Sequence, residues 1–174
     1  SILHDNVQVL DFSIISEVIG EELGSDWREK FESVEEKALG SASIAQVHAA
    51  RLKTGEDVVL KVQRPGIVHK INDDLNVLYF IAELLEKYIP EVRPFNPMGM
   101  VDEYFKILEL ETNFVVEANN IRRFKENFKN DSHILIPNVF FEFTSERVLT
   151  MERLQGKPLS HPDSLKQSGS DPEE

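Results

Sequence analysis

The chain has 174 residues, no cysteine and a net charge of −12, and its length suits one domain or one lobe of a larger domain. The lack of cysteine excludes disulfides, thiolate nucleophiles and cysteine zinc sites. No apolar run reaches the length of a membrane span, so we expect no transmembrane segment. No basic stripe is present, which argues against nucleic-acid binding. Residues 1–20 lack the pattern of a targeting signal.

The first part of the chain has the pattern of a helix followed by strands. Apolar residues at helical spacing predict a helix over 5–23, inside an N-terminal helical extension of residues 1–30. Three strands are then predicted over 31–37, 44–52 and 57–63. The sequence Lys53-Thr-Gly-Glu56 predicts the tight turn between the last two strands.

Helical patterns dominate the next part of the chain. Periodic apolar residues predict a helix over 67–89, and a proline-rich connection follows over 90–97. A second, longer helical pattern runs from about 98 to 129.

The remaining elements complete the predicted fold. Two further strands are expected over 138–143 and 147–152, and residues 160–174 have the composition of a disordered acidic tail. This order predicts an α+β fold in which helices pack on a five-stranded antiparallel sheet. The sheet and its helices would form one lobe over 31–159, with the layout of a protein-kinase small lobe.

One hairpin of this sheet carries the pattern of a phosphate-binding site. The sequence GSASIAQV, which begins at Gly40, overlays the Gly-x-Gly-x-x-Gly-x-Val pattern of protein-kinase glycine-rich loops. Ala42 and Ala45 stand at its second and third glycine positions. Lys61 follows on the next strand but one, between apolar neighbours, where an unpaired lysine would be costly to bury. Lys61 is therefore either a ligand of nucleotide phosphates or a surface lysine on a half-exposed strand.

Several segments together resemble the UbiB-like (AarF-type) atypical kinases, which replace the glycine-rich loop by an alanine-rich one. ALGSASIAQVHAA and VVLKVQRPG are similar to the family's alanine-rich loop and lysine strand. The segment from Glu111 to Asn120 resembles its Glu-x-Asp and Glu-Ala-x-Asn sequences, and Val148–Gly156 resembles its last small-lobe strand and hinge. The resemblance covers roughly residues 10–160. An ordinary kinase small lobe has one helix between its third and fourth strands, and the resemblance accounts for the extra helix predicted here over 67–89.

This resemblance implies a nucleotide site for ATP or ADP with magnesium. The alanine-rich loop (residues 40–45) and Lys61 would contact phosphates, Glu117 would hold Lys61, apolar side chains would cover adenine, and hinge backbone groups would contact the adenine edge. The implied binding residues are Gly40, Ser41, Ala42, Ser43, Val47, Val59, Lys61, Glu117, Met151, Glu152 and Leu154.

The family's Glu-x-Asp positions are occupied here by Glu111 and Asn113, so the second acid is replaced by an amide. On a straight helix with about 100° per residue, Glu111 and Glu117 lie about 120° apart and cannot serve one ion together. We therefore expect Glu111 to face something else.

The resemblance implies the N-terminal lobe of an atypical kinase or ATPase linked to isoprenoid-quinone (ubiquinone) biosynthesis. We expect no catalytic or metal-binding residue in this chain, because His161-Pro-Asp163, which resembles a kinase catalytic loop, is too close to the hinge. The chain alone is then inactive and its partner is a large lobe. The alternative is a non-catalytic, pseudokinase-type interaction module that binds a protein through its acidic N-terminal helix. The expected location is cytoplasmic or membrane-peripheral in a bacterium, and mitochondrial or plastid in a eukaryote.

Overall fold

An antiparallel sheet forms the centre of the protein, for which the computed structural model describes residues 8–155. Its four strands are β1 (Phe31–Ser41), β2 (Ala45–Leu52), β3 (Asp57–Gln63) and β4 (Val148–Glu152). They lie side by side in chain order. The predicted tight turn joins β2 to β3, and Gly55 adopts φ = 102° there, a conformation that glycine reaches without strain. β1 extends beyond its predicted end, so that Gly40 and Ser41 belong to the strand.

Four α-helices accompany the sheet within residues 8–155. They are α1 (Phe12–Leu23), α2 (Ile67–Tyr88), α3 (Pro97–Thr112) and α4 (Phe114–Asn127). The helix predicted over 5–23 begins at Phe12, because the side chain of Asp11 caps it by accepting a hydrogen bond from the Ser13 amide. Residues 5–7 lie outside the described part. The predicted extra helix is present as α2.

The prediction of one long helix over 98–129 is wrong, because the chain forms two helices there. Asn113 adopts an extended conformation between α3 and α4, and its Oδ1 accepts a hydrogen bond from the Val115 amide at 2.9 Å. Asparagine is among the best residues at this capping position. The side chain therefore ends one helix and starts the next.

The prediction of a fifth strand over 138–143 is also wrong. Val139 forms a single bridge with Met151, and Phe141–Phe143 is a short 3-10 helix. The hydroxyl of Thr144 donates to the carbonyl of Phe140, and the hydroxyl of Thr150 likewise bonds the carbonyl of Phe143. These side-chain bonds compete with a backbone ladder and curl the segment away from the sheet after one bridge.

The two faces of the sheet are covered by different helices. On one face, α1 contributes Ile15, Val18 and Ile19 to a buried cluster with the strand residues Ala50, Leu52, Val58, Leu60, Val62 and Val148. On the other face, Phe114 and Ala118 of α4 pack against Ala45 and Leu149. Because side chains alternate along a strand, Lys61 lies on the α4 face.

Helices α2 and α3 form a helical pair linked by the short 3-10 helix Pro90–Phe95. Leu75 and Ala82 of α2 are buried, and the hydroxyl of Tyr79 donates to Asp102 of α3 at 2.7 Å. Within residues 8–155, no helix has both the length and the apolar composition needed to cross a membrane. The predicted tail over 160–174 lies outside the described residues.

Candidate functional site

Lys61 forms the ion pair with Glu117 that the family resemblance implied. It lies on β3 with Val47 of β2 and Leu149 of β4 directly opposite. Its Nζ donates hydrogen bonds to both carboxylate oxygens of Glu117, at 2.8 and 2.7 Å. The pair therefore joins α4 to the face of the sheet that carries the lysine.

The surroundings of this ion pair are partly desolvated. The side chain of Lys61 is 22% exposed and that of Glu117 is 37% exposed. The Nζ atom also lies 4.8 Å from the centre of the Phe114 ring, a distance at which the ring face attracts a cation. Attraction between the charges is stronger here than in bulk water, while the exposed fraction leaves the lysine accessible to a ligand.

The first turn of α4 is fixed by contacts from both sides, and this fixes Glu117 in turn. The Phe114 ring is fully buried, and its amide donates to the Glu146 carbonyl at 2.9 Å. Just before it, the carbonyl of Thr112 accepts a hydrogen bond from Gln63 Nε2 at 2.7 Å. Since Gln63 follows Lys61 by two residues on β3, the same strand positions both members of the ion pair.

The break at Asn113 changes the relation between the two glutamates. Glu111 and Glu117 line one groove of about 500 Å³, together with Lys61, Asn120 and Phe124. The expectation that Glu111 faces elsewhere assumed a straight helix, and that assumption is wrong because the two residues belong to different helices. The groove is therefore lined by one lysine and two acidic residues, of which Glu117 is paired with Lys61.

The alanine-rich loop connects β1 to β2 next to this groove. Gly40 lies opposite Val47, which in turn lies opposite Lys61, and the amide of Ala42 donates to the Ala45 carbonyl at 2.8 Å. A Cβ atom added to Gly40 would meet nothing within 4 Å. Gly40 is therefore not required by packing or by backbone conformation, and the space beside it is open to a ligand.

The two alanines at glycine positions have different environments. Ala42 is exposed at the tip of the loop. Ala45 is 1% exposed and packs with Phe114, Ala118 and Leu149. The methyl group of Ala45 is thus part of the core beneath α4, and it anchors one end of the loop.

The residues proposed for adenine lie on the same face of the sheet or just beyond it. Val59 is opposite Met151; the partly exposed apolar side chains on this face include Val47, Val59 and Met151. Beyond them, the Glu152 amide donates to the Asn138 carbonyl at 2.8 Å, so this N–H is already used within the protein. Leu154 lies two residues after β4 and is exposed.

Sequence reasoning missed three residues that build the site. Gln63 shared a face with Lys61 in the predicted strand, and this placement was a usable signal for its contact with the helix. Phe114 carried no signal, because its position beneath Lys61 depends on the helix break. Arg64 contacts the alanine-rich loop through its side chain, and only the folded hairpin shows this.

His48 is buried on the opposite face of the sheet. Its ring lies 5.1 Å from that of Phe12. Its Nδ1 is 2.9 Å from the Glu35 backbone carbonyl, and its Nε2 is 3.0 Å from the side-chain Nε2 of Gln46. Burial lowers the pKa of His48, although its hydrogen bond to Glu35 acts in the opposite direction. The residue is neutral and structural.

Metal-binding clusters are not found in the described part of the chain. Within residues 8–155, no three side chains of His, Asp or Glu come together as a metal site would require. The dismissed motif His161-Pro-Asp163 lies outside that part.

The chain is similar over almost its whole length to known proteins. Residues 2–174 match the model of the ABC1 atypical kinase-like domain. A protein of Providencia stuartii named "Probable protein kinase UbiB" is 40% identical over 171 residues, which are 98% of this chain and 31% of that protein. The protein of the same name from Vibrio cholerae is 38% identical, with 98% and 31% coverage. The chain thus spans about a third of the length of these relatives.

A solved structure has the same fold. It is the complex of Rv3197 with erythromycin from Mycobacterium tuberculosis, which is 30% identical, covers 87% of this chain and 37% of its own, and superposes with a TM-score of 0.76. Both this structural similarity and the family match support the kinase-like α+β architecture described above. This chain therefore belongs to the family of ABC1 atypical kinase-like domains, which includes the UbiB protein kinases.

Proposed function

We propose that this chain is the nucleotide-facing N-terminal lobe of a UbiB-like atypical kinase or ATPase. In this proposal Lys61 and the alanine-rich loop bind the phosphates of ATP or ADP. The observation that carries it is the bidentate contact of Lys61 with Glu117, at 2.8 and 2.7 Å, on the sheet face beside the loop. In protein kinases a strand lysine and a helix glutamate form such a pair when the site is assembled.

The residues of the site fit the chemistry of a nucleotide. The lysine is a compact cation held in place by Glu117, and a positioned cation stabilises phosphate oxygens. The open space beside Gly40 leaves room for a phosphate near the loop backbone. The partly exposed apolar patch on the same face suits a flat, weakly polar base. When bound, ATP supplies the phosphoryl group and carries magnesium on its phosphates.

The lobe lies at residues 31–159 in this proposal, and the partner that completes the cleft is a large lobe. A role in isoprenoid-quinone (ubiquinone) biosynthesis is the function that the family resemblance favours for the whole protein. The alternative is a non-catalytic interaction module that binds a partner through α1. The ion pairs of Arg147 with Glu21 and Glu22 already use part of the acidic face of that helix, which weakens the alternative.

The test is a titration of the 174-residue chain with Mg-ATP, followed by NMR because weak binding is expected from a lobe without its partner. Shifts should concentrate in the alanine-rich loop and at residues 59–61. Lys61→Met should weaken binding about tenfold or more, the loss expected for one charge-assisted hydrogen bond. Lys53→Met, which changes an exposed lysine in the β2–β3 turn, is the matched control and should bind like the wild type.

Two results would contradict the proposal. Equal affinity of Lys61→Met and the wild type would place the phosphates elsewhere. If no NMR signal of the wild-type chain shifted at the highest ATP concentration, the result would favour the interaction module.

A further inference from the structure

We propose that Arg64 is a positioning residue, which fixes the alanine-rich loop and connects it to the chain segment before α1. This inference rests on the proposed function for its biological meaning, because it concerns the loop that would hold phosphates. Its geometric content is independent of nucleotide and can be tested on the free protein.

Arg64 contacts the loop at three places. It is the first residue after β3, and its amide donates to the Ile44 carbonyl at 2.9 Å. Its Nε donates to the Ala42 carbonyl at 3.0 Å, and its Nη2 donates to Ser41 Oγ at 2.6 Å. The planar guanidinium holds its donors in a fixed fork, so these bonds determine the position of the loop relative to β3.

These bonds also orient the peptide groups of the loop tip. In a trans peptide the N–H points away from the C=O of the same plane. Because the carbonyls of Ala42 and Ile44 are turned toward Arg64, the amides of Ser43 and Ala45 are turned to the other side. The side chain of Arg64 therefore orients the Ser43 amide, while the backbone bond at Ile44 orients the Ala45 amide. Hydrogen-bond donors of this kind are what a phosphate needs.

The same arginine reaches the segment that precedes α1. Its Nη2 donates to the Gln8 carbonyl at 2.6 Å. Nearby, the fully buried side chain of Gln46 accepts from the Leu10 amide at 2.9 Å and donates to the Leu10 carbonyl at 3.2 Å. Gln46 is the second residue of β2, directly after the loop. The segment from Gln8 to Leu10 is thus bonded to Arg64, which contacts the loop, and to Gln46, which directly follows the loop.

The contacts of the Arg64 side chain differ in chemistry from those of an ordinary surface ion pair. All the side-chain contacts of Arg64 given above are to neutral oxygens, and within residues 8–155 no carboxylate lies within salt-bridge distance of it. Its charge is therefore not neutralised by an acid of the described part, and it adds positive potential close to the loop.

The test is amide hydrogen exchange of the free chain, read at Ala42, whose N–H is bonded to the Ala45 carbonyl. Arg64→Met should speed exchange at Ala42 at least tenfold, equivalent to about 1.4 kcal/mol, and leave the amides of β3 unchanged. Arg64→Lys keeps the charge without the fork and should give a smaller increase. Arg51→Met, at an exposed arginine of β2 with surface ion pairs, is the control and should match the wild type.

If the Ala42 amide exchanged in Arg64→Met at the wild-type rate, the proposal would be overturned. An equal increase at Ala42 and across β3 would overturn it as well, because it would show a loss of overall stability and no specific effect on the loop. If Arg64→Met does not fold, the same two criteria are applied to Arg64→Lys. A failure of ATP to bind the wild type would refute the proposed function and leave this exchange result unaffected.

Discussion

The ion pair between Lys61 and Glu117 should contribute measurably to stability, and the structure sets the expected size. At 2.7 Å, Coulomb's law gives about 1.5 kcal/mol with the dielectric constant of water and about 6 kcal/mol with an effective value of about 20. Desolvation and the ordering of two side chains reduce this gain. Because both side chains are only partly exposed, at 22% and 37%, we expect these costs to leave a net coupling energy of about 1.5 kcal/mol.

A double-mutant cycle measures this coupling directly. The free energy of unfolding is obtained from urea titrations of the wild type, Lys61→Met, Glu117→Gln and the double variant, each extrapolated to water. Methionine keeps the apolar stem of the lysine, and glutamine keeps the shape of the glutamate. The cycle therefore removes the charges with little change in packing.

The chain contains a matched control at nearly the same distance. Lys106 and Glu103 are 2.8 Å apart, but their side chains are 64% and 72% exposed. The same cycle on this pair should give a clearly smaller coupling energy, as is usual for exposed pairs on one helix. If the Lys61–Glu117 coupling were no larger than that of the control, the argument from partial burial would be refuted.

Three further predictions concern Gly40, His48 and Asn113. Gly40→Ala should leave the midpoint temperature of thermal unfolding unchanged or slightly raised, because open space surrounds that position. The same variant should bind ATP more weakly in an NMR titration. Undiminished affinity would show that the phosphates do not approach Gly40. His48 has a pKa lowered by burial, so the unfolded state takes up its proton first, and the free energy of unfolding should fall as the pH drops below about 6.5. His48→Gln should remove this slope in urea titrations and His69→Gln should keep it, whereas a slope that persists in His48→Gln would assign it to other groups. Asn113→Ala should cost about 1 kcal/mol in the same assay through loss of the α4 cap, and Asn113→Asp should restore it; an alanine variant as stable as the wild type would argue against the cap.

Local patterns were sufficient for the hairpin that carries Lys61. The turn at Lys53–Glu56 and the strand over 57–63 depend on neighbouring residues, and both are present as predicted. The partner of Lys61 came from the family resemblance, since nothing local relates residues 56 positions apart. The binding of nucleotide by these residues stays a prediction.

The errors arose where distant parts of the chain override local preference. The helical pattern is continuous through Asn113, and the break becomes visible only when Glu146 accepts the Phe114 amide and Gln63 bonds the carbonyl of Thr112. The segment 138–143 has strand-like composition, but hydroxyl groups from Thr144 and Thr150 capture its carbonyls. Such bonds depend on the final geometry and leave no periodic signal in the sequence.

The attachment of α4 also limits how the ion pair could be separated. To move Glu117 away from Lys61 by swinging the helix outward, the protein would have to expose the Phe114 ring, at a cost of about 1.5–3 kcal/mol, and break the Gln63 bond to Thr112 as well. A helix that is free at its start could switch at lower cost. In this protein the assembled ion pair is the resting arrangement, so a partner or ligand would move the alanine-rich loop more easily than the helix.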